Sequence, residues 1–108
     1  MTLAVLIHET FKHIEQIHID IDPSKNEIFK LFTGRATFIG QWPDIDVVIM
    51  KPEKPGLLKN ENILPKPFED EEVYGKILLM RMDENSDPQD LTVDEYMLLF
   101  SGDERVLV

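Results

Sequence analysis

Cysteine is missing from the chain, and this absence excludes disulfides, thiolate metal ligands and a cysteine nucleophile. Long apolar runs are missing too, since none approaches the roughly 20 residues of a transmembrane helix. The apolar run near residue 1 is too short for a signal peptide and follows no basic segment. We therefore expect an intracellular protein that does not enter a membrane.

The common catalytic motifs are also absent. The sequence has no G-x-x-x-x-G-K-S/T phosphate loop, no H-E-x-x-H zinc motif, no G-x-S-x-G nucleophile elbow and no D/E-x-K nuclease element. An enzyme of an established type is therefore disfavoured, and we expect no catalytic residue, cofactor or metal ion.

Basic residues are scarce and unevenly placed. The chain has 21 acidic and 11 basic side chains, a formal net charge of −10, and residues 69–108 hold 12 of the acids with only three bases. Such a surface repels nucleic-acid phosphates and anionic lipids and attracts basic proteins. Acidity also serves solubility alone, and composition does not separate these two roles.

The residues that are present suit one folded domain over residues 1–108. A chain of 108 residues with 43% hydrophobic side chains is long enough to bury a core. Two helix-start signatures have a hydroxyl followed three residues later by Glu, at Ser24–Glu27 and Thr92–Glu95. Apolar residues at helical spacing follow each signature: Ile28, Leu31 and Phe32 after the first, then Val93, Tyr96, Met97 and Phe100 after the second. We expect these two short helices to end at Thr33-Gly34 and Ser101-Gly102.

Strand patterns occupy most of the remaining chain. Residues 17–22 alternate strictly between apolar and polar, and the apolar runs within 36–42, 45–51 and 73–82 are typical of buried strands. Residues 2–13 fit a helix or a strand paired with residues 14–21, and we prefer the strand pair. The fold class is then α+β, a mainly antiparallel sheet of about four to five strands with two short amphipathic helices on one face.

One irregular segment separates the strands. Residues 51–72 contain four prolines and end in four consecutive acids, a composition typical of an extended surface loop. Apolar residues within it are expected to anchor the loop to the domain: Leu57, Leu58, Ile63, Leu64 and Phe68. Loops of this length in small domains are often functional.

Three groups of polar residues resemble ligand sites. Residues 83–88, with Asp94 at the twelfth position, resemble a calcium loop, but Pro88 replaces its glycine and a plain turn is favoured. Histidines at positions 8, 13 and 18 have a spacing that suits no metal site on a single strand or helix, so we interpret them as surface or edge residues. Asp44 and Asp46 form a candidate acid/base pair. The simpler interpretation is that both are solvated residues at a hairpin turn.

The only tryptophan, Trp42, stands beside the rigid turn at Pro43. An exposed Trp there would be an anchor for a protein partner. A Trp that closes the end of the core beneath the proline-rich loop is the interpretation we prefer.

A family resemblance involves the segment Phe38 to Lys51, the run Asn62 to Phe68, residues 71–85 and Pro88-Gln89-Asp90. Together they resemble small uncharacterised proteins encoded by large DNA viruses of algae and amoebae, over about residues 36–100. The family carries no assigned activity. The resemblance implies a virus-encoded protein that acts in the host cytoplasm or in the virion and binds host or virion proteins.

We therefore predict a non-enzymatic acidic interaction module that binds a basic host or virion protein through its acidic C-terminal third and proline-rich loop. The residues expected to contribute are Trp42, Pro43, Phe68, Glu69, Asp70, Glu71, Glu72, Asp83, Glu84, Asp87 and Asp90. Direct nucleic-acid binding and membrane binding are not expected, and the oligomeric state stays open, a homodimer included. Two alternatives stay open: an acidic DNA mimic that occupies a DNA-binding protein, and a metal-dependent hydrolase or nuclease using Asp44, Asp46 and Asp83.

Overall fold

The strand-forming segments assemble into one antiparallel sheet in the computed structural model, which describes residues 1–56 and 58–98. Its strands are β1 (Thr2–Ile7), β2 (Ile14–Ile19), β3 (Ala36–Trp42), β4 (Val47–Pro52), β5 (Ile77–Met82) and the two-residue β6 (Pro88–Gln89). The helices are α1 (Glu27–Phe32) and α2 (residues 93–98). Neither is long and apolar enough to cross a membrane, nor is any other helix of the described residues. The α+β class with a mainly antiparallel sheet and two short helices is confirmed.

The sheet order is β2-β1-β5-β4-β3, with β6 paired to the end of β5. The N-terminal strand pair is therefore confirmed over the helix alternative, and its register places Ile7 opposite Ile14. The central strand β5 pairs antiparallel with both β1 and β4. Its first four residues are all buried, because both faces of a central strand are covered.

Alternation along the central strands divides the core between the two faces of the sheet. On the first face, Ile77 and Leu79 of β5 join a cluster that contains Tyr96 of α2. On the second face, Leu78 and Met80 join a cluster against which α1 packs Ile28, Leu31 and Phe32. The two helices thus lie on opposite faces and not on one, because the central strands are apolar on both sides and each side needs a cover.

The two predicted helix starts have different outcomes. At α2 the Glu95 N–H donates to Thr92 Oγ1 at 3.0 Å and the Thr92 N–H donates to Glu95 Oε1 at 3.3 Å, so this capping box is confirmed. The capping box at Ser24 is wrong. Ser24 lies in a 3₁₀ turn, Pro23–Lys25, and Asn26 precedes α1 without a side-chain cap. Glu27 instead accepts a hydrogen bond from the Asp20 N–H.

Strands β3 and β4 form the predicted hairpin through a 3₁₀ turn at Pro43–Ile45. A β-bulge shifts the register between Phe38 and Gly40. Phe38 therefore pairs with Met50 of the second face, while Gly40 pairs with Ile49 of the first. Trp42 consequently reaches the first face, beneath the loop that follows β4.

The segment that connects β4 to β5 contains no helix or strand in its described residues, apart from one bridge between Lys59 and Tyr74. Leu64 is buried and Phe68 packs against the first-face cluster, so these two predicted anchors are confirmed. Leu58 and Ile63 are 65% and 76% exposed, and their anchoring role is wrong. The predicted anchor Leu57 and the predicted α2 residues Phe100, Ser101 and Gly102 lie outside the described residues.

Candidate functional site

The loop between β4 and β5 folds back on itself and forms a surface depression, which we call the acidic groove. Its lining consists of residues 59–63 and 69–72. The bridge between Lys59 and Tyr74 and a hydrogen bond from the Asn60 N–H to the Val73 carbonyl, at 2.7 Å, hold the two sides together. Residues 59–63 of the proline-rich loop and the four consecutive acids at its end therefore lie side by side.

Asn60 fixes the floor of the acidic groove to the sheet. Among the described residues it is the one polar residue that is buried, with 6% of its surface exposed. Its Nδ2 donates to the Gly75 carbonyl at 2.9 Å and to the Ile7 carbonyl at 3.3 Å, and its Oδ1 accepts from the Asn62 N–H at 2.9 Å. Nothing in the sequence pattern pointed to this asparagine, because a lone Asn in a loop is usually exposed.

Negative charge dominates the acidic groove. Lys59 is the one basic residue of its lining. Five carboxylates line it: Glu61, Glu69, Asp70, Glu71 and Glu72. Lys59 Nζ lies 3.3 Å from Glu72 Oε1, but the two side chains are 53% and 68% exposed, so water screens this ion pair. The exposed Ile63 side chain adds an apolar element to the same lining.

Two acidic residues of the 83–90 turn, unlike the exposed acids of the groove, bind backbone N–H groups of the described residues. Asp83 Oδ1 accepts hydrogen bonds from the Asn85 and Asp87 N–H groups, and the Asp87 N–H bond is the main reason that the pKa of Asp83 is lowered. Asp90 Oδ1 accepts from the Leu3 N–H at 2.9 Å. The segment that resembles a calcium loop is thus built as a turn in which carboxylates bind backbone groups.

Strand β5 separates this turn from the end of the acidic segment at Glu72. The turn follows the last residue of β5, whereas Glu72 contacts Lys59 beside the residues that precede β5. Six extended residues span about 20 Å. Glu84 and Asp87 are exposed on the turn. The predicted acidic residues therefore form two groups instead of one continuous surface.

Trp42 closes the core, as preferred, and is not an exposed anchor. It is 8% exposed, its Nε1 donates to the Lys66 carbonyl at 2.8 Å, and its ring meets the Phe68 ring edge to face at a centroid distance of 5.5 Å. Phe68 also fills the space above Gly40, where an added Cβ would lie 2.6 Å from the ring. Trp42 and Phe68 thus support the acidic segment that begins at Glu69, and Pro43 begins the neighbouring 3₁₀ turn.

The β1–β2 hairpin brings together three side chains that sequence reasoning kept apart. His8 and His13 face each other across the turn, with ring centroids 4.0 Å apart, and His8 Nε2 and Glu15 Oε1 are joined by a 2.8 Å hydrogen bond. The hydrogen bond with His8 is the main reason that the pKa of Glu15 is lowered. His13 and Lys76 lower this pKa further. Within residues 1–56 and 58–98 this is the one set of three His, Cys, Asp or Glu side chains close enough to share a metal ion.

Asp44, Asp46 and Asp83 do not form such a set. The histidine spacing of five residues suits no metal site on a single strand or helix, but the register Ile7 to Ile14 makes His8 and His13 cross-strand neighbours. Extending the preferred strand pairing by one residue would have revealed the histidine pair.

Comparisons with known proteins give family membership without an activity. Neither the curated proteins nor the solved structures contain a match to this chain. A family model described as a family of unknown function, DUF5880, matches residues 5–99. That span includes the whole of the acidic groove and the His8, His13 and Glu15 cluster, and the chain belongs to this family of unknown function.

Proposed function

We propose that the chain is a non-enzymatic interaction module that binds a basic protein at the acidic groove. The observation that carries this proposal is the lining of the groove, where five carboxylates and one lysine surround a depression that adjoins exposed Ile63. Clusters of one charge sign attract and orient partners of the opposite sign. The expected partner segment carries several Lys or Arg side chains and one apolar side chain that packs on Ile63.

The cellular setting of the proposal rests on the resemblance of residues 36–100 to proteins of large DNA viruses. We propose a virus-encoded protein that acts in the host cytoplasm or within the virion. Its partner would then be a basic host or virion protein.

Two charge-reversal variants of equal net charge test the proposal. The groove variant combines Glu69→Lys with Glu71→Lys, and the control variant combines Glu84→Lys with Asp87→Lys on the exposed 83–90 turn. Fluorescence anisotropy measures the binding of a labelled synthetic peptide that is rich in Arg and Lys and contains one Leu. We expect the groove variant to bind roughly tenfold more weakly or worse, because like charges would then meet at the contact.

The control variant should keep most of the affinity. Raising the salt from about 50 mM to about 300 mM should weaken wild-type binding, because exposed charges are screened. Equal losses in the two charge-reversal variants would show that net charge alone attracts the peptide and would contradict a specific groove. An additional Ile63→Ser variant tests the apolar contact separately from the charges. The affinity lost in this variant should be lost at high salt as well.

The other functions receive less support from the geometry. A DNA mimic needs the carboxylates of residues 69–95 on one face at phosphate-like spacing, whereas Asp83 and Asp90 bind backbone N–H groups and Asp83 follows the last residue of β5. A metal-dependent hydrolase would need Asp44, Asp46 and Asp83 to converge, and they form no common ligand set. A screen of the chain for binding and activity would test both functions.

A further inference from the structure

A second site, built from side chains outside the lining of the acidic groove, lies at the turn of the β1–β2 hairpin. We propose that His8, His13 and Glu15 bind a divalent transition-metal ion, with Zn²⁺ as the best match. One ligand atom from each of the three side chains lies within 4.8 Å of the others. Two imidazoles and one carboxylate are ligands that zinc binds in proteins, and three protein ligands leave one tetrahedral position for water or a partner's side chain.

The backbone geometry explains why the three side chains converge. The His8 N–H donates to the His13 carbonyl at 2.9 Å, which continues the hairpin pairing one step beyond Ile7 and Ile14. Side chains of directly opposed residues lie on the same face of a hairpin, and residues two apart on a strand do so as well. His8, His13 and Glu15 therefore lie on one face as a consequence of the register.

The distances are close to those that a metal ion needs. Zinc bonds of about 2.0–2.2 Å in tetrahedral geometry place two ligand atoms about 3.3 Å apart. His8 Nε2 and Glu15 Oε1 are already 2.8 Å apart, and all three ligand atoms lie within 4.8 Å of one another. His13 and Glu15 are exposed, which leaves their side chains room to rotate toward a shared ion. The bound ion would occupy the place of the hydrogen that now joins His8 and Glu15.

The turn that carries the two histidines is held in place by the neighbouring loop. Asn62 Nδ2 donates to the His8 carbonyl at 2.9 Å and to the Thr10 carbonyl at 3.1 Å, and Asn62 Oδ1 accepts from the Lys12 N–H at 2.8 Å. The Glu61 N–H donates to the Glu9 carbonyl at 2.8 Å. These bonds fix the backbone before a metal ion arrives, so less ordering accompanies binding.

The ligand set also selects the class of ion. Calcium and magnesium prefer six or more oxygen ligands, whereas imidazole nitrogen suits zinc, copper and nickel. The lack of cysteine in the chain excludes thiolate sites, so a nitrogen and oxygen site is the type that this chain offers. Lys76 precedes Ile77, the β5 residue that pairs with Ile7, and its positive charge acts on Glu15. Its positive side chain should weaken the binding of a cation.

Isothermal titration of the purified full chain with ZnCl₂ tests the proposal. We expect one equivalent of zinc to bind, and His13→Gln to weaken binding more than the roughly 10–100-fold that the loss of an outer-shell partner causes. Glu15→Gln and His8→Gln should weaken it as well. His18→Gln is the matched control, because His18 pairs with Leu3 on the same hairpin and lies outside the ligand set. Lys76→Gln should tighten zinc binding.

Several results would overturn the metal site. These are the absence of one-equivalent binding, equal zinc affinity in His13→Gln and His18→Gln, and Ca²⁺ or Mg²⁺ binding that depends on the same residues. His13 is exposed, so His13→Gln should fold normally and decides the question even if His8→Gln fails to fold. NMR provides an independent readout: zinc should shift the ring resonances of His8 and His13 and leave those of His18 unchanged.

Discussion

Replacing Asn60 by Ala should destabilise the protein more than its loop position implies. The side chain makes two donated bonds, to Ile7 and Gly75, and its Oδ1 accepts two bonds from Asn62, of 2.9 and 3.0 Å. A net contribution of about 1 kcal/mol for each bond gives an upper value of about 4 kcal/mol. Because the Asn62 groups can turn to water, we expect a loss of about 2–4 kcal/mol in the free energy of unfolding.

Urea unfolding, followed by the fluorescence of the single tryptophan, measures this loss. The midpoint should fall while the m-value stays unchanged, which identifies a stability effect. Asn85→Ala is the matched control, since Asn85 is exposed and, among the described residues, its hydrogen bond is the one from its backbone N–H to Asp83; the effect should stay within about 0.5 kcal/mol. Asn60→Asp should be at least as destabilising as Asn60→Ala, because it replaces a donor by an acceptor beside two carbonyls. A loss for Asn60→Ala no larger than that of the control would refute the reasoning.

Two further substitutions test other contacts. Gly40→Ala would place a Cβ 2.6 Å from the Phe68 ring, so we expect a cost of about 1–3 kcal/mol and a change in Trp42 fluorescence, and in a double-mutant cycle Phe68→Leu should relieve part of this cost. Glu95 has its pKa lowered from the ordinary 4.5, mainly by the hydrogen bond from Arg81, so its contribution to stability is present above the unfolded-state pKa and is lost as the pH falls through the folded-state pKa. Glu95→Gln should therefore flatten the acid dependence of the urea midpoint, and an unchanged slope would contradict this role for the ion pair.

Local pattern predicted the sheet well where burial and periodicity agreed. The bounds of β3 match the predicted strand 36–42, and the strand pair at the N-terminus forms as preferred. The capping box at Thr92 forms because α2 begins there, whereas the similar pattern at Ser24 is overridden by Pro23, which begins a 3₁₀ turn. A sequence signature alone does not decide which of two neighbouring turns is adopted.

Features that depend on tertiary contacts were the ones that sequence reasoning missed. The placement of the helices on opposite faces follows from which apolar surface each one covers, and a helical pattern does not contain that information. The burial of Asn60 depends on Ile7 and Gly75, which lie far from it in the chain. The meeting of His8, His13 and Glu15 depends on strand register. The acidic segment could be located from composition, and the strand predicted within residues 73–82 already lies between its two halves.

Mapping of peptide binding by NMR tests the central functional claim most directly. Amide shifts of the ¹⁵N-labelled chain would be followed during titration with the basic, leucine-containing peptide, at low and high salt. The account predicts that the changes concentrate in residues 59–63 and 69–72 and diminish as salt rises. Changes centred on the 83–90 turn, or spread evenly over all exposed acidic residues, would contradict a single binding surface at the acidic groove.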